Sequence, residues 1–179
     1  MEYYNTIKFN FNEETNMELV LNELKKAFDN ESFDNGYAGS PSKRLANALS
    51  VNNNIIIAEG DGFFTPEDVI TVFTDVLTAF ANNNNKTSFT CKVNSDSTYS
   101  DGTFEASYNE STLSIDSLLN PYGYVDYLTC PECGENVVLL SEYDSKETYY
   151  CPECGEEIDL SEQYDEYAPI VDKIEIKIN

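Results

Sequence analysis

The chain of 179 residues carries 33 acidic side chains against 10 basic ones, with five Cys and no His, so its formal net charge is −23. Without His, the sequence cannot form a Ser-His-Asp or Cys-His nucleophile or a mixed Cys/His metal site. The basic residues are scattered and leave no basic stripe for a phosphate backbone, so direct binding of nucleic acid is not expected.

The composition predicts a folded, soluble chain. Hydrophobic residues make up 41% of it and aromatic residues 13%, more than disordered acidic chains contain. The N-terminal residues show no basic region followed by an apolar run, and no stretch approaches about 18 consecutive apolar residues. We therefore expect a soluble protein that resides in the cytoplasm.

The predicted elements begin with a strand over residues 7–11, where apolar and polar residues alternate. Thr15 then precedes a run of apolar residues at helical spacing, and Glu18 stands at the capping-box position, so a helix is predicted to start there. Ser40-Pro41 supplies an N-cap and a first-turn proline for a second, short helix.

The middle of the chain adds a strand and the clearest helix. Three consecutive Ile at residues 55–57 predict a buried strand that ends at the acidic glycine turn of residues 59–62. Thr65-Pro66 then supplies a cap and a first-turn proline, and two acidic residues in the first turn suit the helix dipole. Apolar residues repeat at helical spacing as far as Phe80, which predicts a long amphipathic helix.

Alternating patterns dominate the rest of the chain. Residues 89–93, 104–108 and 113–115 predict three strands, with a turn at Asp101-Gly102, and residues 174–178 predict a final strand. Helices and strand pairs without a regular βαβ repeat predict an α+β fold, with a small mixed sheet and two to three helices.

The strongest motif is a repeated pentapeptide. Cys130-Pro131-Glu132-Cys133-Gly134 recurs as Cys151-Pro152-Glu153-Cys154-Gly155, with seventeen residues between the two copies. The two-residue gap lets both thiolates of a copy face one ion, and the Gly permits a tight backbone turn beneath the sulfurs. Short strands are predicted at residues 137–140 and 148–150, which would join the two copies as a β-hairpin.

The unit over residues 127–160 resembles a zinc ribbon. The resemblance implies one structural Zn²⁺ per chain, held by Cys130, Cys133, Cys151 and Cys154 with no open coordination position. Iron in a rubredoxin-like site, a thioredoxin-like redox pair and two disulfides are the competing interpretations. Cys91 stands on the apolar face of a predicted strand and is interpreted as a buried structural thiol.

Two other segments have oxygen-bearing side chains. Residues 59–62 are interpreted as an acidic turn after a strand rather than as a cation site. Residues 94–102 lack the Gly and the terminal Glu of an EF-hand loop and are interpreted as a hairpin tip. Lys43-Arg44 is interpreted as part of a solvated helix face.

We predict three segments: an α+β body over residues 1–126, the ribbon over residues 127–160, and an acidic segment with a C-terminal strand that returns to the body over residues 161–179. The net charge is −5 over residues 1–64, −7 over residues 65–129 and −11 over residues 130–179. This excess raises self-repulsion and favours a basic partner. The predicted contact residues lie in and after the ribbon: Glu142, Asp144, Glu147, Glu153, Glu156, Glu157, Asp159 and Glu162.

In small size, acidity, absence of enzymatic motifs and richness in Asn, Tyr and Ile, the chain resembles the phage and mobile-element inhibitors of bacterial defence, especially anti-CRISPR proteins that act on Cas9. The resemblance implies a non-catalytic protein of the bacterial host cytoplasm that keeps a guide-loaded nuclease from its target DNA. Carboxylates would stand in for phosphates at a basic nucleic-acid-binding surface of the nuclease.

Two other functions compete with this one. A zinc-ribbon adaptor of transcription or translation is the alternative, although such ribbons usually carry basic or aromatic contacts to nucleic acid and this one is the most acidic segment. A zinc-dependent hydrolase or deaminase would need an open metal position, which four Cys ligands do not leave.

Overall fold

The computed structural model describes residues 3–12, 14–30, 40–97, 100–121, 129–141, 147–158 and 170–178. Within these ranges the chain forms three α-helices: α1 (Met17–Asp29), α2 (Pro41–Ala48) and α3 (Pro66–Asn83). It also forms ten strands: β1 (Tyr3–Phe11), β2 (Ser50–Asn52), β3 (Ile55–Asp61), β4 (Phe89–Ser97), β5 (Ser100–Asn109), β6 (Thr112–Pro121), β7 (Val138–Ser141), β8 (Glu147–Cys151), β9 (Glu156–Ile158) and β10 (Ile170–Lys177).

The strands form one sheet in the order β2-β3-β1-β4-β5-β6-β10-β7-β8-β9. All neighbouring pairs are antiparallel except β10 and β7, which run parallel. The predicted α+β class with a mixed sheet is therefore confirmed, with three helices in the described ranges where two to three were predicted. None of the helices in the described ranges is long and apolar enough to span a membrane.

The core lies between one face of the sheet and the helices. Phe73 of α3 packs edge-on against Phe28 of α1 and against Phe64, with ring centroids 5.2 and 5.9 Å apart, and it also contacts Phe104 of β5 at 5.7 Å. Burial alternates along β1, β4 and β5, so every second residue faces the helices. The opposite face of the sheet is open and mostly polar. We call it the open face.

Hydrogen bonds of the buried Asn5 amide link the segment before α3 to the sheet. The side chain of Asn5 is fully buried, and its Nδ2 donates to the Phe64 carbonyl at 3.0 Å and to Ser95 Oγ at 2.7 Å. Its Oδ1 accepts from the Phe64 backbone N–H at 2.9 Å. Because both ends of the amide are satisfied, the segment that leads into α3 has a fixed position against β1 and β4.

The helix starts are set by local capping. Thr65 Oγ1 accepts from the backbone N–H of Asp68 at 3.2 Å, which confirms the predicted start of α3. The predicted start of α1 is one residue too early, because Asn16 caps it by accepting from the Leu19 N–H at 3.1 Å. Asn is at least as good an N-cap residue as Thr, and the sequence offers both, Thr15 and Asn16, at adjacent positions.

The predicted turn at Asp101-Gly102 is wrong. Both residues lie inside β5 and pair with β4 on one side and β6 on the other. A Cβ on Gly102 would lie 3.1 Å from the Leu118 carbonyl oxygen and 3.2 Å from Pro66 Cβ. This glycine therefore permits close approach of the sheet to α3, and it does not form a turn.

The strand predicted at residues 55–57 is longer than expected and continues through Asp61 as β3. The turn follows at Gly62, whose φ is 76°, and the Gly62 N–H donates to the Tyr3 carbonyl at 2.9 Å. Lys43 and Arg44 are exposed on α2, as expected for a solvated helix face, and the Arg44 guanidinium also donates to the Gly62 carbonyl of this turn.

The last strand joins the body to the ribbon strands. β10 pairs with β6 over eight residues and places Ile174 opposite Ile115 and Ile176 opposite Leu113. On its other side, Ile170 pairs in parallel with Leu139 of β7. The predicted segment boundaries at residues 126–127 and 160–161 lie outside the described residues and stay a prediction.

Candidate metal centre

The two CPECG segments bring their four cysteines together. All four Sγ atoms lie within 4.8 Å of one another. The Sγ atoms of Cys130 and Cys154 are 3.9 Å apart, and those of Cys133 and Cys151 are 3.6 Å apart. A tetrahedral site with Zn–S bonds of about 2.3 Å has sulfur–sulfur edges of about 3.8 Å, so the arrangement suits such an ion. The distances exclude disulfides, whose sulfurs lie about 2.05 Å apart.

Both segments turn in the same way. The N–H of Gly134 donates to the Cys130 carbonyl at 2.8 Å, and the N–H of Gly155 donates to the Cys151 carbonyl at 2.9 Å. Gly134 has a φ of 76° and Gly155 a φ of 73°, in the left-handed region that residues with a Cβ adopt reluctantly. The repeated glycine therefore lets each chain segment fold back beneath its pair of sulfurs.

Backbone N–H groups point at the sulfurs. The N–H of Cys154 donates to Cys151 Sγ at 3.4 Å, and the equivalent hydrogen bond from the Cys133 backbone lowers the pKa of the Cys130 thiol to about 7. Such donors stabilise thiolates, which are the forms that bind metal. Hydrogen bonding of the protonated Cys154 thiol with the sulfurs of Cys133, Cys151 and Cys130, in that order, raises the pKa of Cys154 far above its ordinary value.

A backbone donor thus favours the Cys130 thiolate, while the crowding of the four sulfurs keeps Cys154 protonated. Four thiols within 4.8 Å cannot all ionise in the absence of a cation, because each thiolate raises the free energy of the next. A divalent cation at the centre would remove this repulsion. The donor set is closed and purely sulfur, so the bound ion would act as a structural cross-link between the two segments and would have no open position for a substrate.

Strand pairing places the ligands. Cys151 is the last residue of β8 and is fully buried. Cys130 directly follows Thr129, whose backbone bridges to Asn136, and is 3% exposed. Cys133 and Cys154 are exposed and lie toward the tips of their turns. The strand β9, which the sequence did not predict, pairs with β8 immediately after the second turn and extends the hairpin to three strands.

The predicted contact residues are only partly described. Glu153 and Glu157 are exposed on the ribbon. Glu147 lies in β8 opposite Ser141, and Glu156 lies in β9 opposite Cys151. The remaining four residues of the prediction lie outside the described residues: Glu142, Asp144, Asp159 and Glu162.

Two further exposed carboxylates of the ribbon are not among the predicted contact residues. Glu132 is exposed in the first CPECG segment, and Glu135 is exposed directly after it. The signal was present in the sequence, because Glu132 lies between two ligands and Glu135 follows the glycine of the same turn.

Other parts of the described chain do not form a second metal cluster. Within these ranges, the four cysteines are the one group of three or more His, Cys, Asp or Glu side chains close enough to share an ion. Residues 59–62 form the end of β3 and its turn, and residues 94–102 belong largely to the β4–β5 hairpin, whose residues 98 and 99 lie outside the described ranges. Neither segment therefore competes with the cysteine cluster.

Cys91 should behave differently from the four cluster cysteines. It lies in β4 on the core face and is 2% exposed, and burial raises the pKa of its thiol well above the ordinary value. We expect iodoacetamide to leave Cys91 unmodified at pH 8 after a strong chelator has exposed the other four thiols. Mass spectrometry should show four labels in the chelated protein and five in urea. Labelling of Cys91 in the folded protein at the rate of the other thiols would contradict its burial.

No protein-family model, no curated protein sequence and no solved structure matches this chain. The two resemblances therefore depend on the residues themselves. The repeated CPECG segment carries the likeness to zinc ribbons, and size, charge and composition carry the likeness to inhibitors of bacterial defence.

Proposed function

We propose that this protein is a non-catalytic acidic inhibitor with a structural Zn²⁺, which binds a basic nucleic-acid-handling surface of a Cas9-type defence nuclease and blocks the loading of target DNA. One observation carries the proposal, namely the charge of the metal-linked ribbon. In the sequence of residues 127–160, nine acidic residues stand against one basic residue, Lys146, and six of the nine lie in the described ranges: Glu132, Glu135, Glu147, Glu153, Glu156 and Glu157.

The positions of the carboxylates support a binding role. Glu132 is exposed in the first metal-binding segment and Glu135 directly after it, and Glu153 and Glu157 are exposed in and beside the second. The Debye length at physiological ionic strength is about 8 Å, so carboxylates this close to one another act as one negative field. A basic channel that normally holds a nucleic acid presents clustered Lys and Arg, to which such a field is complementary.

The metal supports the same proposal through rigidity. When bound, the ion would cross-link the two acidic segments and fix the spacing of their carboxylates. Pre-organised charges lose less conformational entropy on binding than charges on a flexible acidic tail. Zn²⁺ is the ion proposed, because a closed tetrathiolate with these sulfur–sulfur distances is typical of structural zinc.

The test reverses exposed charges at matched sites. We expect the double variants E132K/E135K and E153K/E157K to lose inhibition of DNA cleavage by guide-loaded Cas9 by at least about tenfold, because Lys placed against a basic surface repels it and a few central residues carry most of the binding energy. The control is D29K/D75K, which makes the same change in net charge at exposed positions of α1 and α3. The control should inhibit within about twofold of the parent, and inhibition by the parent should weaken as salt rises.

Two outcomes would contradict the proposal. If both ribbon variants inhibit as well as the parent, the acidic ribbon is not the contact surface. If the parent inhibits no Cas9 at any salt concentration, the proposed class of partner is wrong. Zinc content is measured for every variant, so that loss of the metal is not mistaken for loss of contact.

A further inference from the structure

A groove of about 330 Å³ lies where the ribbon meets the sheet. Its floor is formed by Leu118 of β6 and Val171 of β10, which are direct cross-strand partners. One wall is formed by Val138 of β7, Tyr150 of β8 and Pro152 of the second metal-binding segment. The lining therefore combines residues of the body with residues of the ribbon.

The apolar floor is exceptional on the part of the open face that β6 and β10 form. The other open-face residues of β6 and β10 are polar or charged: Thr112, Ser114, Asp116, Asn120, Lys173, Glu175 and Lys177. A strand face that only meets water would continue this polar pattern. Leu118 and Val171 are half-buried and break the pattern at the groove, where neighbouring apolar side chains shelter them in part.

The surroundings of the groove carry more negative than positive charge. Asp116 and Lys173 both line it and are cross-strand partners of opposite charge. Two exposed carboxylates lie just outside, because Glu153 follows Pro152 and Glu157 pairs in register with Tyr150. Three acidic residues thus stand around the groove against one basic residue, which favours a basic occupant.

We propose that this groove is the docking site for an apolar side chain carried by a basic segment of a protein partner. The inference rests on the proposed function for the class of partner, and it adds where and how that partner is recognised. The apolar side chain lies on Leu118 and Val171 against the Tyr150 ring, and flanking Lys or Arg residues meet the carboxylates outside. Apolar anchors surrounded by polar contacts are typical of protein interfaces.

The metal centre and the groove share one wall. Pro152 lies between the ligands Cys151 and Cys154, and Tyr150 directly precedes Cys151. A Cβ on Gly155 would lie 3.9 Å from the Tyr150 hydroxyl, so this side chain extends toward the second metal-binding segment. Loss of the metal would release this wall, and docking in the groove should therefore depend on the bound ion.

The test uses a fluorescein-labelled peptide of Lys, Arg and Leu, with a control peptide in which every Leu is Ser. We expect the Leu peptide to bind the zinc-loaded protein more tightly than the Ser peptide, by anisotropy at physiological salt. L118S and V171S should each weaken the Leu peptide about tenfold, as expected when an apolar side chain loses its contact surface. The matched control is V51S, at an exposed residue of β2 at the far end of the sheet.

A second measurement on the parent protein does not depend on the variants folding well. Amide shifts induced by the Leu peptide in ¹⁵N spectra should centre on β6, β10 and β8, and a chelator should abolish them. Shifts elsewhere, or equal binding of the Ser peptide, would overturn the groove as a docking site. A concentration-dependent dimer that V171S abolishes would overturn it too, because the occupant would then be a second copy of this chain.

The experiments distinguish failure of the groove as a docking site from failure of the proposed function. If the parent inhibits Cas9 and L118S and V171S inhibit equally well, the proposed function stands and the groove is not its contact. If the peptide binds in the groove but the parent inhibits no Cas9, the docking site stands and its partner is another basic protein. L118S and V171S must retain zinc and the thermal stability of V51S for either result to count.

Discussion

A chain that ends at Glu166 should lose the stability of the whole protein and not only that of its tail. The deletion removes β10, which pairs with eight residues of β6 and three of β7. It also removes Ile174, Ile176 and the buried Ile178 from the edge of the core. Each such side chain contributes about 1.5–3 kcal/mol when fully buried, and domains are stable by only about 5–15 kcal/mol in total.

The measurement is thermal or urea unfolding of the zinc-loaded proteins. We expect the truncated chain to show either no cooperative transition or a midpoint more than about 10 °C below that of the parent. Two point variants refine the test, because I178S removes a buried apolar group while K177S changes the exposed residue beside it. I178S should destabilise strongly and K177S little. An unchanged midpoint for the truncated chain would mean that β10 does not support the body.

Most of the body could be predicted because local signals and tertiary structure agree there. The alternation in β1, β4 and β10 matches the face that each strand buries, and the cap and proline of α3 lie where its first turn begins. The four ligands were predictable for the same reason. The spacing within each CPECG segment places two thiols on one side of a tight turn, whatever the rest of the fold does.

Long-range pairing could not be predicted from the sequence. Nothing local indicates that β10 lies between β6 and β7, or that β7 runs parallel to it. At Asp101-Gly102 the local signal was misleading, because pairing on both sides of β5 and the close approach of Pro66 outweigh the turn preference of the dipeptide. The strands β2 and β9 have three residues each, too few for a period to be recognised.

The groove was unpredictable for the same physical reason. Leu118 and Val171 lie far apart in the sequence and become neighbours only through the pairing of β6 with β10. Tyr150 and Pro152 reach them only because β7 continues the sheet beside β10. A single Leu among polar strand residues carries no signal until its cross-strand partner is known.

Replacement of the exposed Cys133 with Ser should unfold the ribbon. Replacement of the buried Cys91 with Ser should lower stability without unfolding any part of the protein. Exposed residues ordinarily tolerate substitution to within about 0.5 kcal/mol. Cys133 is exposed but lies in the four-sulfur cluster, and structural tetrathiolate sites contribute about 10–16 kcal/mol of apparent binding free energy. A ribbon this small has too little apolar core to replace that contribution.

We therefore expect C133S to lose most of its zinc by elemental analysis and to show collapsed amide dispersion in β7, β8 and β9. The helices and β1 to β5 should keep native spectra, because their core does not include the ribbon. C91S is the matched control. It should retain one zinc per chain while losing about 1–3 kcal/mol of stability, since a hydroxyl replaces a buried thiol. If C133S keeps its zinc and its ribbon spectrum, the four cysteines are not the metal site, and if C91S loses zinc, Cys91 supports that site in a way its position in β4 does not explain.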